Sequence, residues 1–587
     1  MLLPKSRLLL LTTFLVLTAI LYYTLDLTTL SSNILTHNPF SSTPKPENLG
    51  AILHPDEHIY REPKTIKHVW TITKGLRSPD GVEKSVYLIN GQFPGPLIEA
   101  RSGDELIIEV RNGVRDEGVA MHWHGLWMKG ANEMDGVVGL TQCPIKTSKS
   151  FTYKFKIDDD QAGTFWYHAH SELQRADGMY GSLVIHKPAT SGISEKKEYG
   201  YDDDINLLIG DWYHRPSHEV QDYYKDFSNA GNELAPDSLV INGKGYFNCS
   251  MAVPARPVRC KHVAIPQLNL GKGKTRLRIV NTGAMVGYTI SLIGYTMKVI
   301  QVDGGSPVSD APNALSIGIL YPGERMDILI EPSSTFDSQT AALRIEFDPE
   351  NLQFPNFALS EAQSFPITTN LTTFSPPTAP KPTQTPTPTP LFDLLNATGP
   401  PLNLPKSADE NLVLYTKIEI LGEYNNAPKG FINQTTWSQP HSRPLITVNR
   451  SEWGEAFIPF VKSGRERWVD IVLNNFDDRG HPFHLHGTPF HHLTTHAFGI
   501  GGYAESYNPF GALPTPAPSL NTANPVRKDT LFVPSMGYVV LRVRVDNPGV
   551  WFFHCHVLWH QDVGMAMGLH FGEEEEGFGR GKDGEGC

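Results

Sequence analysis

The chain has 587 residues, of which 19% are charged, and its formal net charge is -12. That length is enough for three or four domains of ordinary size. No basic block interrupts the globular part of this acidic chain, so we expect no nucleic-acid partner.

The N-terminus carries a candidate membrane segment. Residues 8–25 are uncharged and mostly apolar, and Lys5, Arg7 and Asp26 flank them. This is about the minimum length of a helix that crosses a bilayer. A cleaved signal peptide would have a shorter apolar core and a small-residue cleavage site, and neither is clear here. We therefore predict a transmembrane signal anchor within residues 1–26 that leaves the rest of the chain extracellular or in the secretory lumen, with a secreted protein as the alternative.

A stem is predicted between this anchor and the globular body. Residues 27–65 contain Ser, Thr and Pro and show no sustained periodicity, as is typical of a connecting segment. Five Asn-any-Ser/Thr sequons fit a glycoprotein of the secretory pathway, because glycosylation modifies surface loops there. These sequons begin at Asn248, Asn370, Asn396, Asn433 and Asn449.

From Lys67 onward the pattern is one of short strands. Alternating or apolar runs such as residues 106–110, 275–280 and 541–545 are broken by Gly, Pro, Asn and Asp. Such runs predict strands, and no long amphipathic helix interrupts them. The sequence therefore predicts an all-β protein built from β-sandwiches.

Four His-any-His pairs mark the two ends of this body. The pairs are His122/His124, His168/His170, His484/His486 and His554/His556. The runs that precede them repeat, because residues 106–112 resemble 469–475 and residues 151–158 resemble 539–546. The first and last domains are therefore predicted to be copies of one β unit, each of which supplies two pairs.

The repeat also sets the predicted domain boundaries. The predicted domains are residues 66–190, residues 200–370, which repeat the strand signals without a His-any-His pair, and residues 406–572. Residues 371–405 are Thr- and Pro-rich and cannot bury a core, so we expect an extended linker there. Residues 573–587 form an acidic tail.

The spacing of the pairs predicts where their side chains lie. Successive side chains of a strand point to opposite faces, so both imidazoles of a pair share one face. Eight histidines can therefore converge on one site while Cys555, enclosed by the last pair, points away from it. A single His-any-His motif in a strand more often holds surface or hydrogen-bonded histidines than metal ligands. Four such motifs at corresponding places in a duplicated unit oppose that interpretation. Imidazoles with one thiolate are a ligand set that copper prefers, so the layout predicts two linked copper centres.

At these residues the sequence resembles the multicopper oxidases, the blue three-domain enzymes that include laccases, ascorbate oxidases and fungal ferroxidases. The resemblance extends from about residue 67 to residue 571, and its most specific segments are 122–125, 167–170, 481–487 and 554–560. Thr488, where many members carry histidine, is a departure at a position that is not a ligand. The resemblance implies three cupredoxin-like Greek-key β-sandwich domains and a monomeric enzyme that couples one-electron oxidation of a small reducing substrate to the reduction of dioxygen to two waters.

The same resemblance implies four copper ions and their ligands. His481, Cys555 and His560 would hold the type 1 copper, with Met565 as the weak axial ligand unless its thioether only fills the core. His122 and His484 would hold the type 2 copper. The two type 3 coppers would take His124, His168 and His556, and His170, His486 and His554. Because His554 and His556 flank Cys555, electrons would have a covalent path between the two centres.

Three residues bear on the reducing substrate. Asp237 falls where laccases have an acid that takes the phenolic proton, and without the resemblance an acid in a surface turn is an equal alternative. Glu233 and Asp477 match two positions at which fungal ferroxidases carry acids for ferrous iron, with a simple loop charge as the alternative for Glu233. Those ferroxidases, however, have a C-terminal membrane helix and usually lack an axial methionine. We predict a laccase-like oxidase of phenolic or related small aromatic donors, with ferroxidase as an alternative.

Ascorbate oxidase is a further alternative, because this chain resembles ascorbate oxidases at Met565, in residues 242–249 and in the positions of its cysteines. That similarity pairs Cys249 with Cys260, and Cys143 with Cys587. A copper-binding cupredoxin protein without turnover is the non-enzyme alternative. The complete set of cluster histidines argues against it.

Overall fold

Strands form most of the regular structure, as the alternating runs predicted. The computed structural model describes residues 46–334, 337, 339–369, 392–439, 443–453, 458–464, 466–497, 506–511 and 518–572. The predicted signal anchor and acidic tail lie outside these residues. Within the described ranges, no helix has both the length and the apolar character needed to span a bilayer.

The first sandwich is formed by two four-stranded sheets. A short strand, β1 (Ala51–Ile52), precedes it. Its own strands are β2 (Thr65–Arg77), β3 (Lys84–Ile89), β4 (Ile98–Arg101), β5 (Glu105–Asn112), β6 (Met121–His124), β7 (Ser150–Lys156), β8 (Gly163–Ala169) and β9 (Tyr180–His186). The two sheets pack through aromatic rings: Trp123 of β6 lies 5.9 Å from Trp70 of β2 and 5.4 Å from Tyr153 of β7, between ring centroids.

The second sandwich has a sheet of eight strands, β1 included, and a sheet of six. Its strands are β10 (Asp203–Trp212), β11 (Ser238–Ile241), β12 (Lys244–Gly245), β13 (Leu268–Leu270), β14 (Thr275–Asn281), β15 (Tyr288–Ile293), β16 (Tyr295–Val302), β17 (Ser306–Pro307), β18 (Ser316–Leu320), β19 (Arg325–Pro332), β20 (Ala342–Phe347), β21 (Ala362–Thr369) and β22 (Phe392–Asp393).

The third sandwich has a six-stranded and a five-stranded sheet. Its strands are β23 (Glu410–Ile420), β24 (Pro428–Ile432), β25 (Phe460–Lys462), β26 (Trp468–Asn475), β27 (His481–Leu485), β28 (Phe490–His496), β29 (Arg527–Lys528), β30 (Thr530–Val533), β31 (Tyr538–Arg544), β32 (Gly549–Cys555) and β33 (Ala566–Gly572).

Helices are few and short in the described part of the chain. The α-helices are α1 (Glu195–Tyr199), α2 (Ser217–Lys225) and α3 (Leu558–Asp562). The 3-10 helices are Pro55–Glu57, Asn132–Met134, Gln174–Asp177, Phe227–Asn229, Cys249–Met251, Pro349–Asn351, Leu394–Asn396, Gly422–Tyr424, Leu445–Thr447 and Arg450–Glu452. Most of them lie in connections between strands, and α3 and the 3-10 helix Gln174–Asp177 carry residues that bear on the site.

All three sandwiches repeat one topology. The orders β3-β2-β5-β7, β11-β10-β14-β19 and β24-β23-β26-β31 each contain one parallel pair between two antiparallel pairs. The facing sheets repeat likewise as β4-β9-β8-β6, β13-β21-β20-β15 and β25-β33-β32-β27. In the first and third copies the His-any-His pairs lie on the last two strands of these facing sheets, with His170, His486 and His556 directly after the strand ends. The corresponding strands of the middle copy, β15 and β20, contain no histidine.

The predicted stem and linker pack against the body where they are described. Leu49 is fully buried, and β1 pairs with β10, so the stem is not a free connection near its C-terminal end. Likewise β22 pairs with β18, and the adjacent Leu394 is buried. The difference from the prediction has a simple reason, because isolated apolar residues without periodicity can still fill gaps at a sheet edge.

Candidate metal centres

The strands bring the four histidine pairs to one place. In the first sandwich His122 of β6 faces His168 of β8, and in the third His484 of β27 faces His554 of β32. His170 and His556 directly follow β8 and β32. All eight histidines are buried, and the most exposed, His170, retains 7% of its accessible surface.

Their ring nitrogens form three groups, two of which share His124, and in each group the candidate ligand atoms lie within 4.8 Å of one another. The groups are His122, His124 and His484; His124, His168 and His556; and His170, His486 and His554. Every group draws on both the first and the third sandwich. The last two groups have the same membership as the sets that the family resemblance implies for type 3 copper.

Burial keeps most of these imidazoles neutral. It is the main cause that lowers the pKa of His170 to about 3 and that lowers the pKa of six further members of the cluster. Those six are His124, His168, His484, His486, His554 and His556. Neutral imidazoles keep one nitrogen lone pair, which is the form that binds a metal ion.

The unused lone pairs test whether a metal fits here. Nε2 of His122, His168 and His484 has no hydrogen-bond partner in the described part of the chain, while Nδ1 of each ring donates to a backbone carbonyl. His486 and His554 place their Nε2 atoms 3.2 Å apart, and their Nδ1 atoms donate to Asp135 Oδ2 and the Cys555 carbonyl. Two lone pairs therefore face each other. Two such lone pairs repel each other, and a cation between them would remove the repulsion. The donor set therefore fits a metal ion.

Three residues that position the histidines were not singled out from the sequence. Asp135 places Oδ2 2.8 Å from Nδ1 of His486, and the carbonyl of Asp529 accepts from Nδ1 of His484 at 2.9 Å. Arg175 donates to the carbonyl of His556 at 2.9 Å. None of them belongs to a spaced motif, so no sequence signal could have found them.

Cys555 lies in a second, adjacent group. Its Sγ lies 3.8 Å from Nδ1 of His481 and 3.7 Å from Nδ1 of His560, and these two nitrogens are 3.1 Å apart. His481 begins β27, Cys555 ends β32 and His560 lies in α3. Burial opposes ionisation of the thiol, but its contacts with the two imidazoles outweigh burial and lower the pKa of Cys555 to about 7.

Two carboxylates contact the outer nitrogens of this group. Asp477 Oδ2 lies 2.8 Å from Nε2 of His481, and Glu233 Oε1 lies 2.7 Å from Nε2 of His560. The other oxygen of the buried Glu233 accepts from Arg479 at 2.5 Å. Although burial favours a neutral ring, Glu233 and Cys555 raise the pKa of His560 to about 10. The carboxylates and the thiol therefore stabilise a positive charge between these side chains, which is a proton on an imidazole in the metal-free protein and would be a metal ion in its place.

Met565 lies beside the same group. Its backbone N–H donates to the carbonyl of His560, and its carbonyl accepts from the N–H of Cys555, both at 3.0 Å. The side chain is fully buried. These contacts fix the position of the residue, while the role of its sulfur as an axial ligand stays a prediction.

A cavity of about 560 Å³ lies next to this group, because Glu233, which contacts His560, belongs to its wall. Both Glu233 and Asp237 line it. Asp237 accepts from the N–H of His214 at 2.7 Å and from Nδ2 of Asn356 at 3.2 Å. Asp477, by contrast, is not among the lining residues, and it accepts from the N–H of Ile418. The structure thus separates Asp237 and Glu233, which face the cavity, from Asp477.

One predicted disulfide lies beside the cavity. Cys249 and Cys260 are bonded, as the family resemblance implied, with their Cα atoms 5.7 Å apart. Cys587 lies outside the described residues, so its pairing with Cys143 stays a prediction.

The fold and the two donor groups define a β-sandwich metalloprotein with adjacent metal sites. Residues 71–190, 203–345 and 425–575 each match a family model described as multicopper oxidase. A laccase from Cryptococcus neoformans var. grubii, "Laccase-1", is 32% identical over 548 residues, covering 87% of this chain and 80% of the relative. The L-ascorbate oxidase of Cucumis sativus is 31% identical, covering 86% and 90%.

A solved structure is also similar. The crystal structure of Fet3p, described as a multicopper oxidase that functions in iron import, superposes with a TM-score of 0.73 and 27% identity, covering 86% of this chain and 90% of that one. The chain therefore belongs to the multicopper oxidase family. It is a copper-dependent oxidoreductase that uses oxygen and, as in that family, four copper ions.

Proposed function

We propose that this multicopper oxidase is laccase-like and oxidises phenolic or related small aromatic donors, one electron at a time, while dioxygen is reduced to two waters. The cavity beside His560 carries this proposal. Glu233 belongs to its wall and also contacts His560, so a donor in the cavity lies next to the His₂Cys group. Aromatic side chains line the same cavity, among them Phe247, Phe354 and Phe357.

The ligand assignment is part of the proposal. His481, Cys555, His560 and Met565 would hold type 1 copper, and the eight paired histidines would hold one type 2 and two type 3 coppers. The unpartnered ring nitrogens and the thiol with a lowered pKa support it. When bound, the copper ions supply the one-electron acceptor and the site at which dioxygen is reduced.

Asp237 would take the proton of the donor. A phenol becomes strongly acidic when it loses an electron, so a carboxylate nearby eases the coupled step. Two neighbours fix this carboxylate, since Oδ2 accepts from His214 and Oδ1 from Asn356. Its side chain remains 25% exposed, which leaves Oδ1 room to accept a phenolic proton and return it to solvent.

Oxidation of ferrous iron is the second candidate. It is favoured by the contacts of Glu233 and Asp477 with the two imidazoles of the His₂Cys group. However, Glu233 already forms ion pairs with both His560 and Arg479. A ferrous ion would have to replace one of these cationic partners, and the positive charge of Arg479 opposes its approach. These contacts favour the phenolic donor.

Oxygen uptake by one copper-loaded sample tests the proposal. A diphenol, ascorbate and ferrous iron are each supplied over a range of concentrations, and kcat/KM is compared. We expect the largest value for the diphenol. A larger value for either other donor would replace the proposed donor class, and a blue protein without oxygen uptake from any donor would support the non-enzyme alternative.

A secretory location is proposed as well. The apolar residues 8–25 and the five sequons support it. Immunoblotting of membrane and medium fractions, before and after removal of N-glycans, distinguishes an anchored from a secreted glycoprotein. A cytosolic, unglycosylated protein would contradict the proposal.

A further inference from the structure

Two arginines in the wall of the cavity, Arg215 and Arg256, have no hydrogen-bond or ion-pair partner among the described residues. Arg215 is half-buried, Arg256 is exposed, and both line the cavity with Asp237. Neither guanidinium forms a hydrogen bond or an ion pair with any residue of the described ranges. Nearby arginines differ in this respect, since Arg259 pairs with Glu83 at 3.0 Å and Arg479 with Glu233 at 2.5 Å.

The charges around this arginine pair do not balance within the cavity. Both guanidinium groups line one cavity, and Arg256 repels Arg215 there: burial is the main cause that lowers the pKa of Arg215, the charge of Arg256 lowers it further, and Asp237 and Glu219 offset part of this effect. Glu233 is already neutralised by Arg479 and His560. That leaves the single charge of Asp237, whose nearest basic nitrogen among the described residues is His214 Nδ1 at 3.9 Å, to balance two guanidinium groups. An anionic ligand group would relieve the repulsion and use the free N–H donors.

Another part of the same cavity wall is apolar and exposed. Phe354 and Phe357 are 48% and 85% exposed, and Met251 is 42% exposed. Exposed aromatic and thioether side chains on a cavity rim favour contact with an aromatic ring. The volume, about 560 Å³, is in the range of sites for single-ring ligands with a short side chain.

We propose that the preferred donor of this oxidase is an anionic phenol, whose carboxylate binds Arg215 and Arg256 while its ring packs on Phe354 and Phe357 and its hydroxyl faces Asp237. This inference rests on the proposed phenol oxidation and adds the charge of the donor. The carboxylate is not consumed: each oxidation removes one electron and one proton from a phenol, four such oxidations reduce one dioxygen to two waters, and the anionic group only holds the ring in place.

A matched pair of donors tests the charge preference. In 3-(3,4-dihydroxyphenyl)propanoate two methylenes separate the carboxylate from the ring, so its methyl ester has nearly the same ring chemistry without the charge. We expect kcat/KM of the copper-loaded enzyme for the acid to exceed that for the ester by about tenfold, mainly through KM, as charge-assisted hydrogen bonds to a carboxylate allow. The preference should shrink at high salt, because Arg256 is exposed.

Variants assign the preference to the two arginines. In Arg215→Gln/Arg256→Gln the acid-to-ester ratio should fall to about one, and Arg215→Lys/Arg256→Lys should restore part of it. Arg259→Gln is the matched control, because Arg259 lies in the same loop but does not line the cavity. Its ratio should equal that of the unmodified enzyme.

A binding measurement separates this inference from the proposed function. Calorimetric titration of the resting holoenzyme with 3-phenylpropanoate, which cannot be oxidised, should show binding that the double glutamine variant loses. Equal kcat/KM for acid and ester, or binding that the variant retains, overturns the inference and leaves phenol oxidation standing. If neither phenol is oxidised by enzyme that still oxidises ferrous iron, the proposed function fails and the inference with it.

Discussion

Asp135 Oδ2 lies 2.8 Å from Nδ1 of His486, so a carboxylate of the first sandwich orients a histidine of the third. The backbone carbonyl of the same aspartate accepts from Nδ1 of His122 at 2.8 Å. Asp135 is fully buried. Asp135 therefore orients one histidine from the first sandwich and one from the third, so that the Nε2 atom of each ring points into the cluster.

Asp135→Asn should weaken copper binding at the histidine cluster. The amide cannot accept from His486 with a full negative charge, and losses of this kind reduce metal affinity by about 10–100-fold. Copper content after dialysis against a graded chelator measures the effect. Asp116→Asn, at an exposed position of the same sandwich, is the control. Equal copper retention by both variants would show that Asp135 does not position the ligands.

Asp237→Asn should reduce phenol oxidation at neutral pH by about a hundredfold or more, because the asparagine cannot take the phenolic proton. Oxidation of ferrocyanide, which has no proton to lose, should be largely retained. Steady-state rates with both donors check this, with Asp222→Asn on the exposed face of α2 as the control. If Asp237→Asn lost the same fraction of its rate with both donors, Asp237 would not be the proton acceptor.

Met565→Leu should raise the reduction potential of the type 1 copper. A thioether donor stabilises the oxidised ion, so its removal favours the reduced one. Redox titration of the blue absorption band measures the shift. Met567→Leu removes a buried thioether two residues further along the chain and should leave the potential nearly unchanged. An unchanged potential in Met565→Leu counts against axial ligation.

Glu233→Gln should also raise that potential. The substitution removes a buried negative charge that contacts His560, and a loss of about 2 kcal/mol of Coulomb energy corresponds to a rise on the order of 100 mV. Glu219→Gln, on an exposed residue of α2, should have little effect. A fall in potential would mean that Arg479, rather than Glu233, dominates the field at the site.

The copper-free protein should lose stability as pH falls from about 7 to about 4. Burial lowers the folded-state pKa of seven cluster histidines, among them His170 at about 3, whereas the unfolded chain takes up protons near pH 6.5. Stability from these groups is therefore present above pH 6.5 and lost below it. His481 and His560 have raised pKa values and oppose the trend, but they are fewer.

The melting temperature of the copper-free protein, measured at pH 7 and pH 5, checks this sign, and we expect a fall on the order of 5 °C. The copper-loaded protein is the control, because bound metal competes with protons for the ring nitrogens and should reduce the fall. A higher melting temperature at pH 5 than at pH 7 for the copper-free protein would contradict the prediction.

The sequence predicted the strands well because their burial pattern is local. Residues 105–112 alternate between buried and less buried positions, with Leu106, Ile108 and Val110 fully buried, as the alternating run indicated. It failed for the ends of the stem and the linker, since Leu49 and Leu394 are buried by contacts that no local pattern encodes. Residues that act across the sandwiches, such as Arg175 and Asp529, were missed for the same reason.

By itself, the sequence determined the duplicated β unit and the two faces of β32, because side-chain alternation along a strand is a property of the backbone. That is why His554 and His556 lie in the histidine cluster while Cys555 joins His481 and His560. Only the tertiary structure decided which residues complete each site. Asp135 reaches His486 across two sandwiches, and Arg215 and Arg256 meet in one cavity, because packing between distant segments sets those distances and chain spacing does not.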